Sequence, residues 1–323
     1  MTMEKIIKSP GIYPNVTYEE YRSWAGINNS VLWRLKSRSP MHCKDYVDNP
    51  PAPSDALRIG AALHIQILEP QEFDKRFLVI PKMNMATKDG KAEFESYVSS
   101  LAFSKTITVS QCDQMLDAKS GKRELLIQAL AMAGITVLDQ AELDGLEAMH
   151  AALKQQEAYK YITGRQDADT ELAIVWDDEE TGIRCKAKLD YVNRDQCIIT
   201  DLKSNAGGDF TNLTPDKFRR SVEQHGYYQQ AAMYADGWQA ITGDLCSFLF
   251  IAVEKESPYC ACAYEASDNM LAAGRNSYRE ALKQWKQCVE TDTWAGYNDG
   301  KIVLLEPSRW LMEQEGVGIH QVA

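Results

Sequence analysis

The stretch from Glu171 to Lys203 constrains the fold more than any other. Ala173 to Trp176 is a β-branched and aromatic run, Asp177 to Gly182 a polar turn, and Ile183 to Tyr191 alternates with period two. Ile183, Cys185, Ala187 and Leu189 fall on one side of that segment, and Arg184, Lys186, Lys188 and Asp190 on the other. Alternation beyond a polar turn predicts a β-hairpin. A second turn, Asn193 to Gln196, leads to a short strand, Cys197 to Lys203, on which Asp201 and Lys203 share a face because they are two residues apart. Two carboxylates and an amine therefore lie at adjoining strand ends. Paired carboxylates on rigid strands can hold a hard divalent cation such as Mg²⁺, and a lysine beside it can orient or deprotonate a water. The same charges could equally be a solvated hairpin face.

The 323 residues are 45% hydrophobic and 25% charged, an ordinary globular composition with room for one large domain or two small ones. No apolar run approaches the roughly 20 residues of a membrane span. The N-terminus lacks the apolar core of a signal peptide, so a cytoplasmic location is expected. The eight cysteines are scattered, with no CxxC pair, as expected of reduced thiols. The net charge of −11 argues against a broad basic surface for nucleic acid. A basic channel within an acidic exterior remains compatible with DNA, and a bound metal is itself a large local charge.

Before the hairpin the chain reads mostly as helices: Val16 to Trp24, then Val31 to Ser37 capped at Asn29-Ser30, then Ser54 to Pro70 after a proline-rich loop. In the third, Leu57, Gly60, Ala61, His64, Ile67 and Leu68 fall on one face. His64 is there either a satisfied core histidine or a ligand, and Gly60 one turn earlier permits close backbone approach. Residues 82–98 read as a lysine-bearing loop leading into a helix, either solvated or touching phosphates. Residues 109–160 read as helical, inserted ahead of the hairpin. After Lys203 comes a loop at 204–208, then a helix from about Pro215 to Trp238 with Gly226 as its weak point. Lys217, Arg219 and Arg220 lie in its first half; Gln230 and Tyr234 lie one turn apart on one face. Strands Leu245 to Glu254 and Tyr259 to Tyr264 and an amphipathic helix, Ser267 to Glu290, follow. This order predicts an α/β core with a mixed sheet.

The set Gly60-x-x-x-His64, Glu171, Asp190, Asp201-x-Lys203 and Gln230-x-x-x-Tyr234 resembles the RecB-like branch of the PD-(D/E)xK nucleases. The stretches IGAALHIQILEPQEFDKRF, TELAIVWDDEETGIRCKAKLD, ITDLKS and YYQQAAMYADGW are similar to the RecE-type exonucleases of prophages, the family of the exodeoxyribonuclease VIII nuclease domain. Leu189 stands where that pattern usually has proline. The likeness runs from about Gly11 to Trp310. It implies a restriction-endonuclease-like core, a central mixed sheet flanked by helices, with a helical insertion before the catalytic hairpin. It also implies a single domain over 1–323: a helical part at about 11–165, the catalytic sheet with its helices at about 166–295, and a tail at 296–323. The long N-terminal region of exodeoxyribonuclease VIII has no counterpart here, so the nuclease module alone is expected.

The resemblance further implies a processive, Mg²⁺-dependent 5′→3′ exodeoxyribonuclease acting on double-stranded DNA ends. Such an enzyme leaves 3′ single strands for recombination by annealing. Mn²⁺ should substitute, a homo-oligomeric ring should enclose the DNA, and a RecT-type annealing protein should be the partner. No iron–sulfur cluster is expected, because the cysteines do not cluster. In this reading Asp190, Asp201, His64 and the carbonyl of Leu202 are metal ligands. Glu171 holds a water of the metal shell or a second cation. Lys203 orients the attacking water and offsets charge on the phosphate, and Gln230 and Tyr234 position Lys203 or the phosphate. Two metals about 4 Å apart would together serve the nucleophile, the phosphate and the leaving oxygen. The row Arg184, Lys186 and Lys188 leads to Asp190. It either draws the DNA backbone inward or pairs across the hairpin with Asp177, Asp178 or Glu180. Lys217, Arg219 and Arg220 are further candidate DNA contacts. The alternatives are an endonuclease or nickase of the same fold and a non-catalytic DNA-binding protein with a relict site; the intact Asp190, Asp201 and Lys203 weigh against the last.

Overall fold

The computed structural model of the protein describes residues 5–51, 55–163, 168–205 and 212–316. The chain opens with β1 (Gly11–Tyr13), α1 (Tyr18–Ser23), α2 (Asn29–Ser37), α3 (Pro40–Asp48), α4 (Asp55–Leu68) and α5 (Pro70–Arg76). Then come β2 (Phe77–Val79), α6 (Lys88–Phe103), α7 (Val109–Asp117), α8 (Lys122–Met132), β3 (Thr136–Leu138) and α9 (Gln140–Lys154). The hairpin region forms β4 (Ala168–Asp177), β5 (Arg184–Asn193) and β6 (Ile198–Asn205). After it lie α10 (Pro215–His225), α11 (Tyr227–Thr242), β7 (Ser247–Glu254), β8 (Ala261–Glu265), α12 (Asp268–Thr291) and α13 (Arg309–Gln314). Of the loop expected at 204–208, residues 206–208 lie outside the described residues.

Six strands form one sheet in the order β1-β4-β5-β6-β7-β8. Only β6 and β7 pair in parallel; the other neighbours are antiparallel. The parallel pair is joined through α10 and α11, the helical crossover that parallel neighbours require. Helices cover both faces, so the molecule is the mixed α/β sandwich that the element order predicted. On one face α2, α11 and α12 pack over Leu172, Ile174, Trp176, Ala187 and Phe250. On the other, α4 and α9 pack over Leu202, Ile251 and Val253, while α1 seals Ala173 and Val175 through Tyr21 and Trp24. Among the described residues no helix is long and apolar enough to cross a membrane.

Several expectations change in detail. The inserted segment is not wholly helical: Thr136–Leu138 pairs in parallel with Phe77–Val79, so a second, two-stranded sheet ties the segment to the chain just after α5. The Pro215–Trp238 helix is two helices. At their junction Gly226 has φ +70° and a Cβ there would stand 2.3 Å from the Trp33 ring, so both the backbone and the space demand glycine. The cap of α2 is Asn28, whose side chain accepts from the Val31 N–H, rather than Asn29. On α4, Leu57 is exposed and Ala62, Leu63 and Ile67 are buried, which leaves His64 at the border of the buried stripe.

Candidate active site

Asp190 sits where two strand ladders give way. The β4–β5 register is unchanged on either side, from Thr170↔Tyr191 to Leu172↔Leu189, but skips the opposed pair Glu171 and Asp190. Glu171 has φ +51°, a left-handed backbone that costs a non-glycine residue about 1 kcal/mol or more. The alternation of β5 also reverses here: Leu189 and Val192, three apart, both face the α11 side, while Tyr191 faces α4. On the other edge, β5 and β6 pair only as far as Tyr191↔Thr200. Beyond that fork the Leu202 N–H donates to the Asp190 carboxylate, 2.8 Å. A side chain thus replaces the missing ladder bond.

The fork opens one edge of β6 to α4. Gly60 faces the strand, where a Cβ would stand 3.4 Å from Ser204 Oγ, an ordinary contact, so the approach of the helix does not itself demand glycine. One turn on, His64 Nε2 lies 2.9 Å from the Leu202 carbonyl. A carbonyl only accepts, so Nε2 carries the proton, and Nδ1 faces Asp190 Oδ2 at 3.6 Å. His64, Glu171 and Asp190 offer ligand atoms that all lie within 4.8 Å of one another. One imidazole and two carboxylates suit a hard or borderline cation such as Mg²⁺ or Mn²⁺.

Burial pushes the Asp190 carboxyl up to about 7; His64 opposes that shift, and the neighbouring Asp201 and Glu171 add to it. The cradle is therefore short of positive charge. Asp201 faces the α11 side of the sheet, with Oδ2 2.6 Å from Lys203 Nζ and Oδ1 accepting from Gln230 Nε2 at 2.7 Å. Gln230 Oε1 in turn accepts from Lys203 at 3.0 Å. Burial, the largest single influence, lowers the lysine, but Asp201, Tyr227 and Asp190 together outweigh it and Lys203 lies above the usual lysine value. It is a fixed positive charge, not a base.

The structure thus brings together His64, Glu171, Asp190, Asp201, Leu202, Lys203 and Gln230. Asp201 stands apart from the three-ligand cradle, and the Leu202 carbonyl is held by His64. Tyr234 shares a side-chain hydrogen bond with Gln230, and burial raises its hydroxyl well above the tyrosine norm. One contributor escaped the sequence reading. Lys203 Nζ lies 4.3 Å from the centroid of the Tyr227 ring, a cation–π contact. Tyr227 precedes Gln230 by three residues, and that one-turn spacing was the available signal.

The basic row is corrected. Lys186 is buried, 5% exposed, and donates to the carbonyls of Tyr21 and Trp24 at 2.9 and 2.6 Å. The alternation was read correctly, but α1 covers that face, so Lys186 staples the end of this helix and presents no charge to a ligand. Arg184 pairs with Asp177, the cross-hairpin alternative, and Lys188 pairs with Glu171. On α10, Arg219 and Arg220 are exposed, with Arg219 3.2 Å from Asp216, and Lys217 is half-buried.

A mixed sheet that forks at an aspartate, with an Asp-x-Lys strand beside it and a histidine from the preceding helices, defines a PD-(D/E)xK-type fold. The family model of the PDDEXK-like domain of unknown function (DUF3799) matches residues 37–304, and the chain belongs to that family. Among solved structures it is similar to a candidate exonuclease from Eubacterium rectale. The match covers 94% of this chain and 98% of that one, at 14% identity and a TM-score of 0.56, a likeness of fold. SSO0001 aligns over 70% of this chain and 86% of its own at 12% identity, with a TM-score of 0.25 that carries no argument. No curated protein matches the sequence.

Proposed function

We propose that this protein is a divalent-cation-dependent deoxyribonuclease that degrades linear double-stranded DNA from its ends. The observation that carries the reading is the juxtaposition, at one strand fork, of the His64–Glu171–Asp190 cradle and the Asp201–Lys203–Gln230 relay. When bound, a cation such as Mg²⁺ would neutralise a phosphate oxygen and acidify a water. The protein's own part follows from its geometry. His64, fixed through Nε2, keeps Nδ1 aimed into the cradle. Lys203, protonated and gripped by Asp201, Gln230 and Tyr227, sets a positive charge where negative charge grows on the phosphate. Asp201 holds that ammonium rather than the cation. Likeness of fold to the Eubacterium rectale protein, itself a candidate exonuclease, supports action at ends. The motifs shared with RecE-type exonucleases support 5′→3′ polarity with a 3′ overhang for annealing, a ring-shaped oligomer and a RecT-type partner.

A linear duplex labelled separately at each 5′ and 3′ end, beside a covalently closed circle, tests this with Mg²⁺ and with EDTA. The expected result is early release of 5′ label as short products, persistence of 3′ label, an intact circle and no reaction in EDTA. Cleavage of the circle would instead make it an endonuclease or nickase. Inertness toward all DNA with Mg²⁺ or Mn²⁺ would sink the nuclease reading.

A further inference from the structure

Both carboxylates that flank Asp190 already carry an ammonium. Lys203 sits on Asp201. Lys188 sits on Glu171, with both side chains largely buried, at 11% and 18% exposure. Register explains the second pair. Lys188 is opposite Ala173 on β4, so it lies diagonal to Glu171, within reach of a long side chain. The Nζ of Lys188 contacts Oε2 of Glu171, which leaves Glu171 one oxygen for the cradle and none to share with a second ion. Glu69, at the α4–α5 junction, borders the same spot: burial and then Glu171 raise its carboxyl, and Lys188 pulls it back. Asp201 accepts from Gln230 through Oδ1, and its Oδ2, which makes no hydrogen bond among the described residues, has the Lys203 ammonium at 2.6 Å. Four carboxylates, Asp190, Asp201, Glu171 and Glu69, therefore face two ammoniums, two negative charges in excess when all are ionised. A single divalent cation offsets that excess; a second would lie against Lys188 as a like charge.

We infer that the site takes one divalent cation per chain, and that Lys188 on Glu171 permanently supplies the positive charge a second cation would bring. This rests on the reading of the cradle as a cation site and replaces the two-metal expectation. The test counts bound Mn²⁺ on the full chain at pH 8, by electron paramagnetic resonance of the free ion and by calorimetry. Wild type and Lys188→Arg should each bind one Mn²⁺. Lys188→Met and Lys188→Gln leave Glu171 and Glu69 as a carboxylate pair without its ammonium, and should bind two, the second at least tenfold more weakly. Two ions on the wild type, or none, would overturn the inference, as would neutral variants that fold by circular dichroism yet still bind one. Should neither neutral variant fold, a second ion on Lys188→Arg would overturn it, and one ion on both wild type and Lys188→Arg would support it. The count is separate from cleavage. One ion bound without DNA hydrolysis would remove the nuclease reading alone, and two ions with hydrolysis would remove this inference alone.

Discussion

Replacing Asp190 by asparagine should make the cation-free protein more stable, and increasingly so as pH rises. In the fold, burial and then the neighbouring acids, against the opposing His64, carry Asp190 from an ordinary 3.8 to about 7. A folded value above the unfolded one means that the native state holds the proton more tightly. The associated stability is present below pH 3.8 and is lost as pH rises through about 7. Three units at about 1.36 kcal/mol each make the ionised carboxylate a liability of roughly 4 kcal/mol at pH 8. An asparagine oxygen can still accept the Leu202 N–H but carries no charge. At about 2 °C per kcal/mol for a chain of this size, Asp190→Asn should melt up to about 8 °C higher than wild type at pH 8 in EDTA. Most of that gap should open between about pH 3.8 and 7. Adding Mn²⁺ should close more than half of that gap, because a ligand at a hundred times its Kd stabilises only the protein that binds it, by about 2.7 kcal/mol. Differential scanning calorimetry across pH, with and without Mn²⁺, reads all of this. A variant that melts below wild type at pH 8 in EDTA, or a gap that ignores pH, would refute the reasoning.

Two other substitutions separate chemistry from architecture. Lys203→Ala should slow single-turnover DNA cleavage by about 100- to 1000-fold while DNA affinity in Ca²⁺ barely changes, the usual loss for one preorganised charge; Lys203→Arg should not rescue it, since a planar guanidinium cannot replace a compact ammonium between Asp201 and Gln230. Loss of DNA affinity with the rate retained would instead make Lys203 an anchor. Lys186→Met should leave two buried carbonyls without their donor and lower stability by about 2–4 kcal/mol, with the folded fraction keeping its cleavage rate. Burial depresses Lys186 from 10.5 to about 8, so the unfolded chain binds that proton more tightly and the wild type should gain stability between those pH values; a pH titration of the melts should show that slope missing in Lys186→Met.

Local pattern alone determined the hairpin, its register face and the Asp201-x-Lys203 geometry, because period two and a polar turn depend only on neighbours in sequence. It likewise placed Gln230 and Tyr234 on one helical face, and Gln230 is found on Lys203 as the spacing allowed. The mixed α/β sandwich followed from the order of elements. Tertiary structure decided the rest. His64 meets Leu202 across 138 residues of chain, a distance no window on the sequence spans, and only packing of α4 against the forked strand shows which nitrogen points inward. The left-handed backbone of Glu171 is imposed by the strands around it, not by its own preference. Most instructive is the basic row. Alternation correctly separated Arg184, Lys186 and Lys188 from the apolar face, but it could not say what covers the second face of a central strand. That cover is α1 at Lys186 and the carboxylate of Glu171 at Lys188. Burial is a long-range property, so residues that read locally as one charged row became a helix staple and a built-in cation.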